Sequence, residues 1–407
     1  MKTILFLSFL TAIAFLARRI AWALSREFIS RHMSEWETYP KTLRFYLNWI
    51  HANLEMRFRL KKVRARPLQI TIDSSNICQL SCPVCPTGMR KHDRPFGKAR
   101  EELLTNLLNE IGEYLFTINF FNWGEPFINS EVTFSWIEAS RKMGIRSRVS
   151  SNLSLILSDA QIHRICTCGM HTLIVSLDGA SEETYLKYRR NGNYERVIHN
   201  LTRIVEERRH LGGNGPRLIW QFLVFSHNEH EIPLARRMAK EIGVDEIRFS
   251  PPQVDESVGL LPASDPKYHT ELSKVHEKAS FESRFPENRD SCVWHYMLAV
   301  INWDGALSPC EILYKKGYDF GTLGESGQIR FRDAYNSRSY QAARAGVANA
   351  KSGETPLVCF RCPAAGMRSA DGINGDVSYH CKLRLLNVLR ILISPLKLHR
   401  KPKTVSL

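Results

Sequence analysis

No uncharged stretch in this sequence reaches the length of a bilayer span. Residues 3–17 are uncharged and mostly apolar, but Arg18 and Arg19 follow them, and a spanning helix needs about 20 apolar residues. Extending the stretch through Leu24 would bury both arginines. Acidic residues are also in short supply, with 41 Asp and Glu against 56 Lys and Arg, a net charge of +15. Such an excess suits nucleic acid, an anionic membrane surface or an acidic substrate. The basic runs lack the aromatic and glycine pattern of an RNA-binding module, which argues against nucleic acid. The ten cysteines are not spread as a disulfide framework but gathered at ligand spacings, which excludes a small secreted scaffold and fits a reducing cytosol.

What is present is most telling between Asn76 and Pro86. Cys78, Cys82 and Cys85 form a Cys-x3-Cys-x2-Cys triplet directly after a strand-like run. Three thiolates offered to a four-iron cluster leave one iron open to an exchangeable ligand. A structural zinc site, the alternative, usually pairs Cys-x2-Cys with a second pair and closes at four ligands. The triplet resembles the signature of the radical S-adenosylmethionine (SAM) enzymes, with Val84 where that family usually carries an aromatic residue. The resemblance implies a [4Fe-4S] cluster that binds SAM and cleaves it reductively to a 5′-deoxyadenosyl radical, which abstracts hydrogen from a substrate.

From Pro67 onward short β-rich runs alternate with helical stretches. Strands are expected at Leu68–Asp73, Leu115–Phe121, Ser147–Ser151, Thr172–Leu177, Leu218–Phe225 and Glu246–Phe249. Helices are expected near 99–113, 131–143, 158–167, 193–210 and 230–241. Six strand–helix repeats imply an α/β fold with a parallel sheet and crossover helices, and the family resemblance implies a partial (β/α)6 barrel. In such barrels the chemistry collects at the C-terminal ends of the strands.

Further motifs follow those strand ends. Gly124, Glu125 and Pro126 resemble the family's Gly-Gly-Glu-Pro turn, with Trp123 replacing the first glycine, and the resemblance implies a backbone carbonyl there that holds the SAM amino group. Ser150 and Asn152 stand where relatives contact the ribose or carboxylate. The run Ser176-Leu177-Asp178-Gly179 with Arg189 downstream resembles a family pattern that assigns Ser176 and Arg189 to the SAM carboxylate and sets Asp178 near the reacting groups. Arg190 is the alternative to Arg189. Cys166 and Cys168, at a helix end on the opposite rim, read as structural.

A second cysteine set begins at Cys292, continues with Gly305 and Cys310, and reaches Cys359 and Cys362. It resembles the C-terminal auxiliary-cluster extension known as the SPASM domain, or its shorter relative, the Twitch domain. A full SPASM domain has cysteines where this chain has Arg368 and Gly372, so the resemblance implies one auxiliary [4Fe-4S] cluster on Cys292, Cys310, Cys359 and Cys362, with Cys381 left over. Four-cysteine ligation leaves no open iron, which points to electron transfer or structural support; zinc suits four thiolates equally well.

The resulting organisation is an apolar and basic membrane-associating segment at 1–66, the barrel at 67–251, a linker at 252–291, the auxiliary-cluster domain at 292–381 and a basic amphipathic tail at 382–407. The two basic ends point to the inner membrane surface or to packing on the protein's own body. The expected activity is hydrogen abstraction from a C–H bond of a small-molecule or lipid-linked substrate, such as dehydrogenation or epimerisation of a sugar. A flavodoxin- or ferredoxin-type reductant is its expected partner. Peptide or protein maturation is the enzymatic alternative, and a non-catalytic zinc-stabilised membrane-surface binding protein the alternative of another class.

Overall fold

The β-rich runs become strands β1 (Gln69–Ile72), β2 (Thr117–Asn119), β3 (Arg146–Ser151), β4 (Thr172–Ser176), β5 (Arg217–Leu223) and β6 (Glu246–Ser250). This computed structural model describes residues 42–90, 93–252, 256–268, 292, 294–324, 330–345 and 359. In chain order the helices are α1 (Leu43–Arg57), α2 (Pro86–Met89), α3 (Glu102–Ile111), α4 (Ser130–Lys142), α5 (Asp159–Thr167), α6 (Glu182–Tyr188), α7 (Tyr194–His210), α8 (Ile232–Ile242), α9 (Trp294–Met297), α10 (Phe331–Ala334) and α11 (Arg338–Ala345). All five expected helices form within a few residues of their predicted bounds. Their ends are written in the sequence: Ser158 and Gln161 cap the start of α5 reciprocally, and Gly243, at φ 94°, closes α8 in the left-handed region.

Every neighbouring pair from β1 to β6 is parallel. The order β6-β5-β4-β3-β2-β1-β7-β8-β9 leaves an open sheet, parallel over β1 to β6 as the six repeats predict and in keeping with the partial barrel that the resemblance implies. Its two faces differ sharply. Ile70, Ile72, Ile118, Val149, Leu173, Val175, Leu218, Trp220 and Phe222 lie on one face, and all are fully buried. The opposite face is largely polar, with Ile174 and Ile219 among its apolar members. Thr71, Asn119 and Arg148 stand side by side in one register row, and Ser176, Gln221 and Arg248 in another nearer the strand ends. Side chains alternate between faces along a strand, so β1 to β6 pack an apolar back and present a hydrophilic interior.

Strand β7 (Leu298–Ile301) pairs in parallel with β1, and β8 (Ala306–Ser308) and β9 (Gly321–Thr322) extend it antiparallel. The region after Cys292 thus shares one sheet with the barrel. At the other end of the strands, α1 lies against the segments that lead into β1, β2 and β7. Phe45 packs on Phe116 with ring centroids 5.9 Å apart, and the Asn48 amide exchanges hydrogen bonds with the Arg66 main chain. Among the described residues no helix is long and apolar enough to cross a membrane.

Candidate cluster and cofactor site

The cysteine triplet occupies the loop that leaves β1 at its C-terminal end, as the sequence placed it. Cys82 is buried, and Cys78 and Cys85 are half-buried. Around the loop pack Leu80, Tyr188, Phe225 and Leu260, with Val84, Leu223 and Val258 at the margin. Burial pushes the Cys78 thiol up to about 12, assisted by Glu125, and the Cys82 thiol up to about 11 against the pull of Arg189. Burial raises Cys85 as well, while the backbone N–H groups of Gly88 and Thr87 point at its sulfur.

Two glycines make the loop possible. A Cβ at Gly88 would lie 2.6 Å from the Cys82 nitrogen, and one at Gly124 would lie 1.6 Å from the Ser75 carbonyl oxygen. The turn after β2 is therefore pressed against the main chain that leads into the triplet, and the Glu125 N–H donates to the Ile77 carbonyl at 2.9 Å. Only a residue without a side chain fits there.

Glu125 is fully buried, and its carboxylate accepts from the Ser151 hydroxyl at 2.7 Å, the Asn152 N–H at 2.8 Å and the Phe127 N–H at 3.2 Å. It fastens the β2 turn to the end of β3, and the geometry makes it a positioning residue. Asn152 reaches the triplet itself, its Nδ2 lying 3.7 Å from Cys78 Sγ while its Oδ1 accepts from Gln79 at 2.8 Å. Ser150 and Ser176 join across β3 and β4 with hydroxyls 3.2 Å apart.

Asp178 was expected near the reacting groups, but its side chain is fully buried. One oxygen accepts from Arg189 Nε at 2.5 Å and the other from the Leu223 N–H at 2.7 Å. Its work is to aim Arg189, whose Nη1 lies 4.0 Å from Cys82 Sγ and whose guanidinium sits over the Tyr188 ring at 5.1 Å. Burial alone would weaken the charge on Arg189; Asp178 and Cys82 outweigh it and hold the guanidinium charged. Arg190 is exposed, so the geometry favours Arg189 over its neighbour. Cys166 and Cys168 are buried near the start of β4, their thiols turned to the Ile204 and Ile165 carbonyls.

Several residues of this site went unmarked in the sequence. Asp73, fully buried at the end of β1, takes the Trp123 N–H, with the Gly124 and Asn122 N–H groups also aimed at it. Desolvation pushes its carboxyl up to about 7. Trp123 packs against Tyr314 with ring centroids 5.1 Å apart and the planes tilted by 44°, and the Tyr314 hydroxyl accepts from Asn76 at 2.7 Å. Arg94, also buried, bridges to Asp319 at 2.5 Å and Asp304 at 3.4 Å. These contacts bolt the triplet loop to the hairpin that carries Cys310. Arg94, nine residues beyond Cys85, and a tyrosine four residues beyond Cys310 carry no spacing signal that would have revealed them.

Of the second cysteine set, Cys292, Cys310 and Cys359 are described, while Cys362 and Cys381 lie outside the described residues. Cys310 is buried at the end of β8. Cys359 Sγ lies 4.0 Å from His295 Nε2, which is itself 3.2 Å from the Pro309 carbonyl. His295, Phe320 and Tyr340 pack together with centroids 5.0 to 5.9 Å apart. Burial lifts the Tyr340 hydroxyl well up, and both Cys359 and Cys310 add to the effect. Two of the four expected ligands are thereby gathered around one aromatic nest.

Among the described residues no three His, Cys, Asp or Glu side chains converge on the position of a single ion. A cluster makes no such demand, because each thiolate binds a different iron. Three soft donors on a loop with an apolar surround, backbone N–H groups aimed at sulfur and an arginine beside Cys82 fit a cluster of that kind.

A family model described as the radical SAM superfamily matches residues 72–215, and one described as an iron–sulfur cluster-binding domain, SPASM, matches residues 292–363. The chain is a radical SAM enzyme with a C-terminal SPASM domain. The radical SAM domain holds a [4Fe-4S] cluster and SAM, and the SPASM domain holds auxiliary iron–sulfur. Among solved structures, SuiB of Streptococcus suis bound to S-adenosylmethionine is 15% identical, with 82% of this chain and 80% of that chain covered and a TM-score of 0.52. The same protein bound to the precursor peptide SuiA is 13% identical over 87% and 85%, also at 0.52. At these identities the likeness is one of fold. No curated protein matches the chain in sequence.

Proposed function

We propose that this radical SAM enzyme abstracts hydrogen from a hydrophilic, hydroxyl-rich substrate held inside the partial barrel, in a sugar dehydrogenation or epimerisation. The polar interior carries this reading: Thr71, Asn119, Arg148, Ser176, Gln221 and Arg248 share the face that the strands turn away from their apolar back. These groups pair partly among themselves, Asn119 Nδ2 on Thr71 Oγ1 and Ser150 with Ser176, and keep further donor and acceptor capacity that a hydroxyl-bearing substrate can use and an apolar one cannot.

When bound, the cluster would supply the one electron that cleaves SAM to methionine and a 5′-deoxyadenosyl radical, which becomes 5′-deoxyadenosine on taking a hydrogen atom from the substrate. The chain's own residues orient it. Because Asp73 collects the N–H groups of the Asn122–Gly124 turn, the carbonyls of that turn are left to accept from the SAM amino group. Arg189, fixed by Asp178, and Ser176 face the SAM carboxylate, with Ser150 and Asn152 toward the ribose. Cys292, Cys310, Cys359 and Cys362 would hold one auxiliary cluster, which can take the electron left after hydrogen abstraction from an alcohol. A flavodoxin- or ferredoxin-type protein supplies the reductant, and segments 3–24 and 383–407 attach the enzyme to the inner membrane surface.

Peptide maturation is the second reading, favoured by the shared fold with SuiB, which has been solved with a precursor peptide. The test is anaerobic: reconstituted enzyme, dithionite and SAM are given the small-molecule and the peptide fractions of a cell extract separately. A rise in 5′-deoxyadenosine above the uncoupled rate with small molecules supports the sugar reading. A rise confined to the peptide fraction overturns it.

A further inference from the structure

We infer that helix α1 docks the enzyme on an anionic lipid surface. The helix inverts the usual pattern of an amphipathic element. Its packed face contains Phe45, Asn48, Ala52 and Glu55, held by polar bolts, since Glu55 accepts the Arg64 N–H at 2.6 Å and the Ala65 N–H at 3.1 Å. Its apolar side chains point the other way: Leu43 is 72% exposed, Leu47 55%, Ile50 51%, Leu54 50% and Phe58 71%. At 3.6 residues per turn these five fall within a sector of about 80°, a continuous stripe along four turns and the cap.

A second observation names the occupant. From Arg57 to Arg66 the chain carries Arg57, Arg59, Lys61, Lys62, Arg64 and Arg66 with no acidic residue, and the first five are exposed. Leu60, 45% exposed, continues the apolar surface among them. A lipid surface satisfies both features at once. The leucines enter the acyl boundary and the cations meet anionic headgroups, at about 1 kcal/mol per Lys or Arg. A second copy of the chain, packed isologously with its helix antiparallel, would set the cationic run against a helix start that has no acidic residue in its first turn.

The placement has a consequence for the reaction. Helix α1 abuts the segments entering β1, β2 and β7, whereas the cysteine loop leaves the other end of the strands. With the stripe in the lipid the base of the barrel faces the membrane and its mouth faces water, so the substrate arrives from the aqueous side and not as a lipid headgroup in the same bilayer. This consequence rests on the radical SAM reading of the mouth; the docking itself does not.

The test is sedimentation of the full-length, cluster-loaded protein with vesicles of phosphatidylcholine alone or with one quarter phosphatidylglycerol. Wild type is compared with the triple variant Leu47→Asp, Ile50→Asp, Leu54→Asp and with the milder Leu43→Ser, Phe58→Ser. The triple variant is expected to lose at least about tenfold in partition to the phosphatidylglycerol vesicles, and the milder one to lose less. Melting temperature should change little and uncoupled SAM cleavage should stay unchanged, because every altered side chain is at least half exposed. Unchanged partition in both variants overturns the inference. So does a wild-type dimer that ignores vesicles and becomes monomeric in the triple variant. Removing residues 1–24 or 383–407 leaves the stripe intact, so the ends and the helix can fail separately.

Discussion

The two cysteine regions sit in different electrostatic surroundings. Around the triplet stand ionisable groups taken out of water: Asp73, Glu125, Asp178 and Arg189, each held by several hydrogen bonds. Around Cys310 and Cys359 stand His295, Phe320 and Tyr340, an aromatic nest with one buried cation, Arg344, over the Tyr340 ring at 5.2 Å. A site that binds the zwitterionic end of SAM needs fixed charges and dipoles aimed at it, which cost little once the fold has positioned them. The four thiolates proposed for the second site would close it to further ligands, and a mainly aromatic shell would suit it by excluding water and tuning potential. The contrast in chemistry is visible in the side chains alone.

The sharpest way to break this contrast is to remove one ligand from each region. Cys82→Ala is expected to abolish reductive SAM cleavage, with 5′-deoxyadenosine at the background of the unreduced control. Cys310→Ala should keep uncoupled cleavage while losing substrate turnover. Chromatography of 5′-deoxyadenosine under dithionite, with iron counted per chain, reads both. Equal and complete loss in two well-folded variants would mean that the regions do not divide the labour.

Next in size is Gly124→Ala. Its methyl group would meet the Ser75 carbonyl at 1.6 Å, backbone against backbone, where no rotamer change gives relief. A cost at or above the upper end of the usual 1–3 kcal/mol for overpacking is expected, together with poor iron loading at the triplet and normal loading at the second set. Melting of the metal-free protein and iron content check it. Near-normal behaviour on both counts would show that the two loops can part.

How much of this could be read from the chain follows from how local each signal is. Cys78, Cys82 and Cys85 lie within eight residues, and the six strands alternate with helices at regular spacing, so both were legible. The ring of contacts among Asp73, Trp123 and Tyr314 joins positions up to about 240 residues apart, and no periodicity encodes it. Strand β7, Leu-Ala-Val-Ile, is apolar on both faces and too short to tell from a buried helical turn. Helix α1 was passed over because its polar residues face inward, against the rule by which such helices are recognised. The role expected for Asp178 rested on its place in Ser-Leu-Asp-Gly; the fold turns it inward to Arg189 and Leu223, which spacing alone does not reveal.

A smaller effect separates charge positioning from charge itself. Asp178→Asn keeps the size of the side chain and can still accept the Leu223 N–H, but it no longer neutralises Arg189. A loss of about 10–100-fold in kcat/KM for SAM is expected, the range typical of groups that orient a ligand holder, with KM for SAM moving more than kcat. Arg189→Lys should lose at least as much, since an ammonium cannot bridge Asp178 and a carboxylate with one plane of donors. If both variants bind SAM normally, the buried ion pair serves the fold and not the cofactor.

The last prediction, on stability and not on turnover, tests whether the charged surround carries an energetic cost. The carboxyl of Asp73, pushed up to about 7 by burial, compares with about 3.9 in an unfolded chain. Between those values the folded protein holds a proton that the unfolded chain has released. The contribution of Asp73 to stability is thus fully present below about pH 4 and is lost as the pH rises through 7, an amount on the order of 2–4 kcal/mol over the whole window. In the metal-free protein the melting temperature should fall from pH 5 to pH 7.5 by roughly 2–4 °C for each kcal/mol lost, and Asp73→Asn should flatten that slope. An unaltered slope in the variant would place the pH response elsewhere. Asp73 would then be a carboxylate fully compensated by the N–H groups of Asn122, Trp123 and Gly124, and the turn that faces SAM would be anchored by a fixed negative charge at every working pH.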